Sequence, residues 1–345
     1  MGFKKPARLK QGDTVAILSP SWGGPSLYPH VYEQGLRALR DWGLTIKEFP
    51  TAKADADFLR ANPQARAKDI NDAFADHAIK AIVASIGGSD SVRILPFLDK
   101  ALIADNPKIV LGYSDTSTLH VFLNLQGIVS FHGPSIMAGF AQMDNLPGSF
   151  RSHVREMLFE PTDAHDYRPY GQYCDGYPDW ADKNTLGNVN PLKKGDGWHW
   201  LQGTMKVEGQ LFGGCIEVLD MMKATDYWPS RDFWRGKIFF LETSEEKPSV
   251  NFVDHVLRNY GMLGVFERIG GLIFARARDY SDAEKKELEQ KIVSVVAKEF
   301  GRPDLPIVAN FDVGHTDPQL VLPLGVRAEM DCAAKRIGLV ETWLT

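Results

Sequence analysis

Residues 109–117 read IVLGYSDTS, an apolar run that passes directly into hydroxyl and acidic side chains. The apolar part predicts a buried strand over 108–113, and the residues from Thr116 to Leu125 predict a helix. A strand that enters a helix through so short a turn is typical of a parallel α/β sheet. Ser114 lies at the junction. Its neighbours favour a helix cap, and attack on a substrate is the alternative.

The residues before this stretch repeat the same alternation. β-branched runs predict strands, and apolar residues at helical spacing predict helices. The predicted strands span 14–18, 45–49 and 78–84, and the predicted helices lie near 36–42, 65–74 and 93–98. An open parallel sheet places its functional loops at the carboxyl ends of its strands. Three loops meet that description: 19–24, 87–91 and 112–116.

Periodicity is lost between residues 161 and 205, where Asp, Gly, Pro, Tyr and Trp are frequent. A loop of this length in a compact protein is usually functional or a linker. Beyond it the sequence predicts strands at 206–211, 237–241, 270–274, 306–311 and 319–331, and helices at 250–260 and 282–300. We therefore expect an N-terminal α/β domain over 1–160, an inter-domain substrate loop over 161–205, and a smaller α/β domain over 206–345.

Composition excludes several classes of protein. The 345 residues include 39 basic and 44 acidic side chains, with a formal net charge of -5 and no basic tract, so no nucleic-acid partner is expected. No apolar run reaches the length of a membrane span, and none follows the basic N-terminal residues, which favours a cytoplasmic protein without membrane contact. The cysteines indicate neither disulfides nor structural zinc, because they are three and far apart: Cys174, Cys215 and Cys332.

Ser114 has the surroundings of a nucleophile as well as those of a cap. Gly112 leaves backbone room two residues earlier, and in a nucleophile elbow the amide of the next residue, here Asp115, points toward the developing oxyanion. The match is imperfect, because a hydrolase elbow carries glycine two residues after the serine, where this chain has Thr116.

The pair Gly87 and Gly88 also follows a strand and opens a helix. Glycines at such a place allow backbone amides to approach an anion closely. The pair matches neither a Walker loop nor a dinucleotide-binding fingerprint, and a plain tight turn is the commoner explanation.

A serine nucleophile needs a base, and the base needs an orienting carboxylate. Among the nine histidines, His315 follows an apolar strand and lies between a glycine and a turn, which exposes its ring at a strand end. His132 also ends a strand and is a candidate neighbour of the site, whereas His120 lies within a helix, where packing is expected. Glu242 ends another apolar strand, and an acid there is costly to bury without a partner. Ser114, Glu242 and His315 thus complete a set of nucleophile, acid and base.

With these residues identified, the chain resembles the LD-carboxypeptidase family of serine peptidases (S66), and more closely its branch of microcin C immunity proteins. The resemblance extends over nearly the whole chain and is carried by six segments: GDTVA at 12–16, SPS at 19–21, IGG at 86–88, GYSD at 112–115, FLETSEEKP at 240–248 and GHTDP at 314–318. It implies a flavodoxin-like N-terminal domain joined to a smaller α/β C-terminal domain, with the active site at their interface. It also implies a homodimer without metal or cofactor.

The resemblance implies roles for single residues. Ser114 would be the nucleophile, His315 the general base and Glu242 its orienting acid. The backbone amides of Gly88 and Asp115 would form the oxyanion hole.

Two activities are known in the family that the chain resembles. Murein-recycling members remove the terminal D-alanine of muropeptides, whereas immunity members cleave the amide between an aspartyl group and an adenosine-like nucleotide. In the immunity members a loop tryptophan stacks on the base. Trp180 is predicted to do so here and, with Gly87, to bind substrate, while interface packing stays open for Trp180, Trp198 and Trp200.

Cys215 stands where the best-known immunity proteins carry asparagine, which leaves the exact substrate open. The side chain itself is predicted to be a small buried residue rather than a nucleophile. We expect an immunity-type serine amidohydrolase whose partner is a small peptide or peptidyl-nucleotide. A murein LD-carboxypeptidase and a non-catalytic binding module are the alternatives.

Overall fold

Two large β-sheets form the framework of the molecule. The computed structural model describes residues 2–345. Its strands are β1 Thr14–Leu18, β2 Thr45–Glu48, β3 Ile79–Ala84, β4 Ile109–Gly112, β5 Ser130–His132, β6 His165–Asp166, β7 Gln172–Tyr173, β8 Lys193–Lys194, β9 His199–Gln202, β10 Lys206–Cys215, β11 Ile238–Glu242, β12 Gly271–Ala275, β13 Ile307–Phe311, β14 Leu322–Leu324, β15 Arg327–Asp331 and β16 Arg336–Leu339.

Helices connect the strands and cover the sheets. They are α1 Gly24–Leu27, α2 Pro29–Asp41, α3 Ala56–Ala61, α4 Pro63–Ala75, α5 Lys100–Asp105, α6 Ser117–Leu125, α7 Gly148–Phe159, α8 Ile216–Met222, α9 Val250–Met262 and α10 Asp282–Val293. None of these described helices has the length and apolar character that crossing a bilayer requires.

The first sheet has the strand order β14-β5-β4-β3-β1-β2. Its strands β1 to β5 are all parallel. The order 2-1-3-4-5 is that of flavodoxin, and it confirms the predicted parallel-sheet N-terminal domain. Because β1, β3 and β4 are neighbours, the loops that follow them meet at one edge of the sheet.

The second sheet has the order β6-β16-β15-β10-β11-β12-β13-β9. Strands β10 to β13 are parallel, and the outer pairs are antiparallel. The first half of the long strand β10 pairs with β15 and its second half pairs with β11. This change of partner along one strand curls the sheet, and the predicted α/β class of the C-terminal region is confirmed.

The two sheets share apolar core residues and one connecting helix. Leu111, Phe131, Phe240 and Phe311 come from both sheets, are fully buried and belong to one apolar cluster. Helix α6 packs against β10 and α8. At its start Ser117 Oγ accepts a hydrogen bond of 3.0 Å from the N–H of Cys215. The turn that carries Ser114 is therefore fixed to the end of β10.

Residues 322–324 pair with β5 in the first sheet, although the predicted division at 206–345 assigns them to the C-terminal domain. The predicted β segment 319–331 is interrupted at Gly325, which has a φ of +94°. Two segments predicted as helices also differ from the α-helical form. The segment predicted as a helix at 93–98 is the 3-10 helix Ser91–Phe97, because Pro96 lacks an N–H donor. Beyond α10 the predicted helix continues as the π-helical turn Ser294–Glu299.

Candidate active site

Ser114 lies in a strained turn between β4 and α6. Its φ is +59°, a left-handed conformation that residues other than glycine adopt rarely. A 3-10 turn, Ser114–Thr116, precedes α6, and no side chain caps either element. The Asp115 carboxylate instead accepts a hydrogen bond of 2.8 Å from the N–H of Ser91. The capping interpretation of this turn is therefore wrong, and the strained backbone presents the hydroxyl at the end of the strand.

The glycine loop after β3 lies against this turn. A Cβ atom added to Gly87 would be 2.8 Å from Cβ and 2.9 Å from Oγ of Ser114. Gly88 has a φ of +149°, and a Cβ there would meet Ser21 Oγ at 2.2 Å. Ser21 Oγ in turn accepts the N–H of Ser89 at 3.1 Å. Close backbone approach therefore requires glycine at both positions.

His315 and Glu242 form a buried pair: Glu242 is the last residue of β11, and His315 lies four residues beyond the end of β13. His315 Nδ1 donates to Glu242 Oε2 over 2.6 Å. Gly314 has a φ of +87°, and a Cβ there would lie 2.5 Å from Glu242 Oε2, so the pair requires glycine before the histidine. The Tyr113 ring contacts the imidazole edge-on at 4.9 Å.

His315 has a second carboxylate partner that the sequence interpretation missed. Glu245 Oε2 lies 2.9 Å from His315 Nε2. Burial lowers the pKa of His315, but Glu242 and Glu245 outweigh burial and raise the pKa to about 10. The same ion pair lowers the pKa of Glu245 to about 2. Burial raises the pKa of Glu242, and His315 opposes that rise.

One cavity of about 520 Å³ brings the two halves of the site together. Ser114 and His315 both face it, and within the described chain no hydrogen bond joins them. Its walls come from loops of both halves of the chain and from the predicted substrate loop, and they combine aromatic rings, carboxylates, one guanidinium and glycine backbone. The lining residues besides Ser114 and His315 are Trp22, Tyr28, Ile86, Gly87, Gly88, Ser89, Tyr113, Ala138, Tyr177, Pro178, Asp179, Trp180, Glu245, Glu246 and Arg278.

Trp180 belongs to an aromatic wall of this cavity. Its ring stacks on Tyr177 with centroids 6.0 Å apart and an interplanar angle of 19°. Tyr28 meets it edge-on at 5.7 Å. The chain segment is fixed by His30, whose Nε2 is 2.8 Å from the carbonyl oxygen of Trp180. A flat group that enters the cavity meets a supported aromatic surface.

The other two loop tryptophans do not line the cavity. Trp198 Nε1 donates to Asp312 over 2.7 Å, and its ring packs on Phe311 at 4.5 Å. Trp200 lies in β9, the edge strand that pairs with β13 in the second sheet. Both side chains are half-buried against the apolar core, so packing accounts for them.

The remaining sequence candidates lie behind the site. His132 is fully buried between Tyr113 and Phe240, and burial lowers its pKa well below the usual range. His120 Nε2 lies 2.8 Å from the carbonyl oxygen of Gly112, as expected for a packed helix residue. The Cys215 thiol is buried and donates to Glu217 over 3.2 Å, and burial raises its pKa well above the usual range. These groups support the site from within the core.

The sequence did not point to two of the cavity residues, Glu245 and Arg278, and the reasons differ. Glu245 is part of a segment already singled out, but the sequence does not show which way its side chain points. Arg278 follows β12, and the rule that directs attention to the carboxyl ends of parallel strands would have found it.

One cluster outside the cavity has the composition of a metal site. His153, Glu156 and His165 have ligand atoms within 4.8 Å of one another. However, His153 Nε2 accepts the N–H of Val321 at 2.9 Å, which places the ring proton of the neutral imidazole on Nδ1. Neither ring nitrogen of His153 is then free to bind a metal.

Comparison with known proteins identifies the family of the chain. The sequence model of the LD-carboxypeptidase N-terminal domain matches residues 15–133, and that of the C-terminal domain matches residues 208–330. The microcin C7 self-immunity protein MccF of Escherichia coli is 26% identical, over 98% of this chain and 96% of its own length. The "Probable murein peptide carboxypeptidase" of Bacillus subtilis is 28% identical, over 96% of this chain and 92% of its own length.

Solved structures resemble the whole chain. MccF in complex with aspartyl sulfamoyl adenosine superposes with a TM-score of 0.86 at 26% identity, covering 99% of this chain and 100% of that one. An MccF-like protein from Streptococcus pneumoniae in complex with AMP gives a TM-score of 0.83 at 28% identity, covering 95% and 98%. The chain therefore belongs to the LD-carboxypeptidase family of serine peptidases, in the branch that contains MccF.

Proposed function

We propose that this protein is a serine amidohydrolase that cleaves the amide between an aspartyl group and a nucleotide-like leaving group, and so confers immunity to a microcin C-like compound. One observation carries the proposal. His315, which forms a buried ion pair with Glu242 over 2.6 Å, faces the same cavity as the strained Ser114. A nucleophile, a base and an orienting acid at one cavity are what acyl transfer requires.

In the proposed reaction Ser114 Oγ attacks the carbonyl carbon of the scissile amide, and His315 Nε2 takes the hydroxyl proton. Glu242 stabilises the imidazolium that results. The amides of Gly88 and Asp115 are the proposed donors to the tetrahedral oxyanion. His315 then gives its proton to the leaving nitrogen, which breaks the amide and leaves an acyl-enzyme. Water, activated by the same base, releases the acid.

The aromatic wall supports a nucleotide-like substrate. Trp180 presents a ring supported by Tyr177 and Tyr28 at the cavity, and stacking on a base contributes about 1 to 3 kcal/mol. Two relatives of the same fold were solved with such ligands, MccF with aspartyl sulfamoyl adenosine and the Streptococcus pneumoniae protein with AMP. The position of Gly87 beside Ser114 supports the proposed contact with substrate.

A murein LD-carboxypeptidase is the second candidate, and the similarity to the Bacillus subtilis murein peptide enzyme favours it. Both candidates use the same triad, so the substrate decides between them. A non-catalytic binding module is the third, and it predicts ligand binding without turnover.

Hydrolysis of two substrates tests the proposal: aspartyl sulfamoyl adenosine and a muropeptide that ends in an L-centre joined to D-alanine. We expect faster turnover of the nucleotide, and Trp180→Ala should raise its KM about tenfold or more, since about 1.4 kcal/mol corresponds to a factor of ten. Trp180→Phe, which keeps an aromatic face, is the matched control. Preference for the muropeptide, unaffected by Trp180→Ala, would instead assign the protein a function in cell-wall recycling.

A cytoplasmic location and a homodimer stay predictions. Light scattering on the purified protein tests the second, with twice the mass of the chain as the expected result.

A further inference from the structure

Glu245 is paired with Nε2 of His315, the nitrogen that would have to accept the proton of Ser114. The site in this arrangement is therefore not ready to react. Glu245 lies three residues beyond the end of β11, and its Oε2 is 2.9 Å from His315 Nε2. Its side chain is 55% exposed and lines the cavity, whereas the Glu242 side chain on the other ring nitrogen is fully buried. One carboxylate is thus built into the core, and the other lies partly exposed at the cavity wall.

This second carboxylate blocks the proposed base. A carboxylate accepts hydrogen bonds and an imidazole nitrogen pairs with it as a donor, so His315 holds protons on both nitrogens while Glu245 is in place. An imidazolium cannot take the proton of Ser114. The proposed reaction therefore requires Glu245 to leave His315 Nε2, with the Nε2 proton passing to solvent.

The segment that carries Glu245 is itself fixed. Ser244 Oγ donates to Glu217 over 2.6 Å and accepts the N–H of Glu246 over 3.2 Å. The neighbouring Lys247 has a φ of +52°. Since the backbone is held on both sides, rotation of the Glu245 side chain is the motion that frees His315.

The charge around the cavity indicates what draws Glu245 away. Its walls carry three carboxylates, Asp179, Glu245 and Glu246, against one guanidinium, Arg278. A carboxylate that leaves an imidazolium stays paired only if another cation replaces it. Arg278 is one such cation on the same wall, and a substrate ammonium group beside the scissile amide would be a second, in a cavity where carboxylates outnumber cations.

We propose that Glu245 is a positioning and specificity residue, which pairs with His315 in the free enzyme and transfers to an ammonium group that the substrate carries beside its scissile amide. This inference rests on the proposed function and narrows its substrate class to α-aminoacyl compounds with a free amine. Binding of the substrate then frees His315 from Glu245 in the same step.

Several charged and titratable groups face His315 and set its pH dependence. Glu242 lies at the end of β11 and Tyr113 follows β4, while Asp317 lies two residues beyond the histidine. Arg278 lies on the cavity wall, and the buried His132 lies behind Tyr113. Exchange of Glu245 for glutamine leaves all of these in place.

Labelling of Ser114 by a small uncharged fluorophosphonate tests the pairing without any substrate. The rate is measured against pH for the wild type, Glu245→Gln and Glu287→Gln, which removes an exposed carboxylate of α10 as the matched control. We expect the wild-type rate to rise only in the alkaline range, and the rise in Glu245→Gln to move at least one pH unit lower, which is about tenfold faster labelling near neutrality. Glu287→Gln should follow the wild type. Coincident profiles of wild type and Glu245→Gln would overturn the pairing.

Hydrolysis tests the transfer to the substrate. Aspartyl sulfamoyl adenosine and its N-acetyl analogue differ in the ammonium charge, and we expect the wild type to prefer the free amine by about tenfold or more in kcat/KM. Glu245→Gln should lose that preference. A preference that survives in Glu245→Gln would overturn the specificity role. Absence of phosphonate on Ser114 in every variant would overturn the proposed function as well, which separates the two failures.

Discussion

Gly314 packs directly against the carboxylate of Glu242. A Cβ atom at residue 314 would lie 2.5 Å from Glu242 Oε2, the oxygen that accepts from His315. The absence of a side chain at one residue therefore sets the distance between the acid and the base of the proposed triad. The glycine of the segment GHTDP thus determines the geometry of the Glu242–His315 pair.

Gly314→Ala should abolish turnover while the protein stays folded. The methyl group would displace Glu242 or His315 from their 2.6 Å contact, and the left-handed φ of +87° would cost about 1 kcal/mol of stability in addition. Steady-state kinetics and urea unfolding measure the two effects. Gly301→Ala is the matched control, because that glycine has a φ of +66° and open space around it. Equal activity in both variants would show that the close contact is unimportant.

Gly87→Ala should impair catalysis without backbone strain. Its Cβ would be 2.9 Å from Ser114 Oγ and 3.4 Å from the N–H nitrogen of Asp115, where the proposed oxyanion forms. Misplacement of a reacting group by about 1 Å costs on the order of a hundredfold in rate. Measurement of kcat checks this value. Gly148→Ala, with nothing near its added Cβ, should leave kcat unchanged. A fully active Gly87→Ala would argue against an oxyanion site at this loop.

The stability of the protein should fall as the pH rises toward 10. The pKa of His315 is raised from 6.5 to about 10 in the folded protein, so the charged histidine contributes its full stabilisation below pH 6.5 and loses it as the pH passes through about 10. Urea unfolding at several pH values measures the effect. His315→Gln should lack this part of the pH dependence, so its difference from the wild type should shrink over the same range. A constant difference would mean that His315 is uncharged at neutral pH.

Cys215 should be dispensable for chemistry, although it ends the strand beside Glu242. Its thiol is buried and burial raises its pKa, so it is a poor nucleophile at neutral pH. Cys215→Ala should keep kcat within a few-fold of the wild type, measured on the same substrate as Ser114→Ala. A loss as deep as that of Ser114→Ala would give the thiol a direct part in the reaction.

The sequence singles out Ser114, Glu242 and His315 because each lies at, or within four residues after, the carboxyl end of a parallel strand, where functional groups of α/β sheets are found. Their catalytic roles stay predictions. The sequence predicts poorly what depends on side-chain direction. Glu245 is three residues from Glu242, yet only the folded chain shows that both face one imidazole. The pairing of Leu322–Leu324 with β5 is also not predictable from the sequence, because β5 is remote along the chain and no local pattern indicates the pairing.

The measurement that tests the central claim most directly is the hydrolysis of aspartyl sulfamoyl adenosine by the wild type and by Ser114→Ala, with binding of the same compound measured in parallel. If Ser114 is the nucleophile, the substitution should reduce kcat by about 10⁴-fold or more while binding and the unfolding midpoint stay nearly unchanged. Turnover by Ser114→Ala at the wild-type rate would contradict the account.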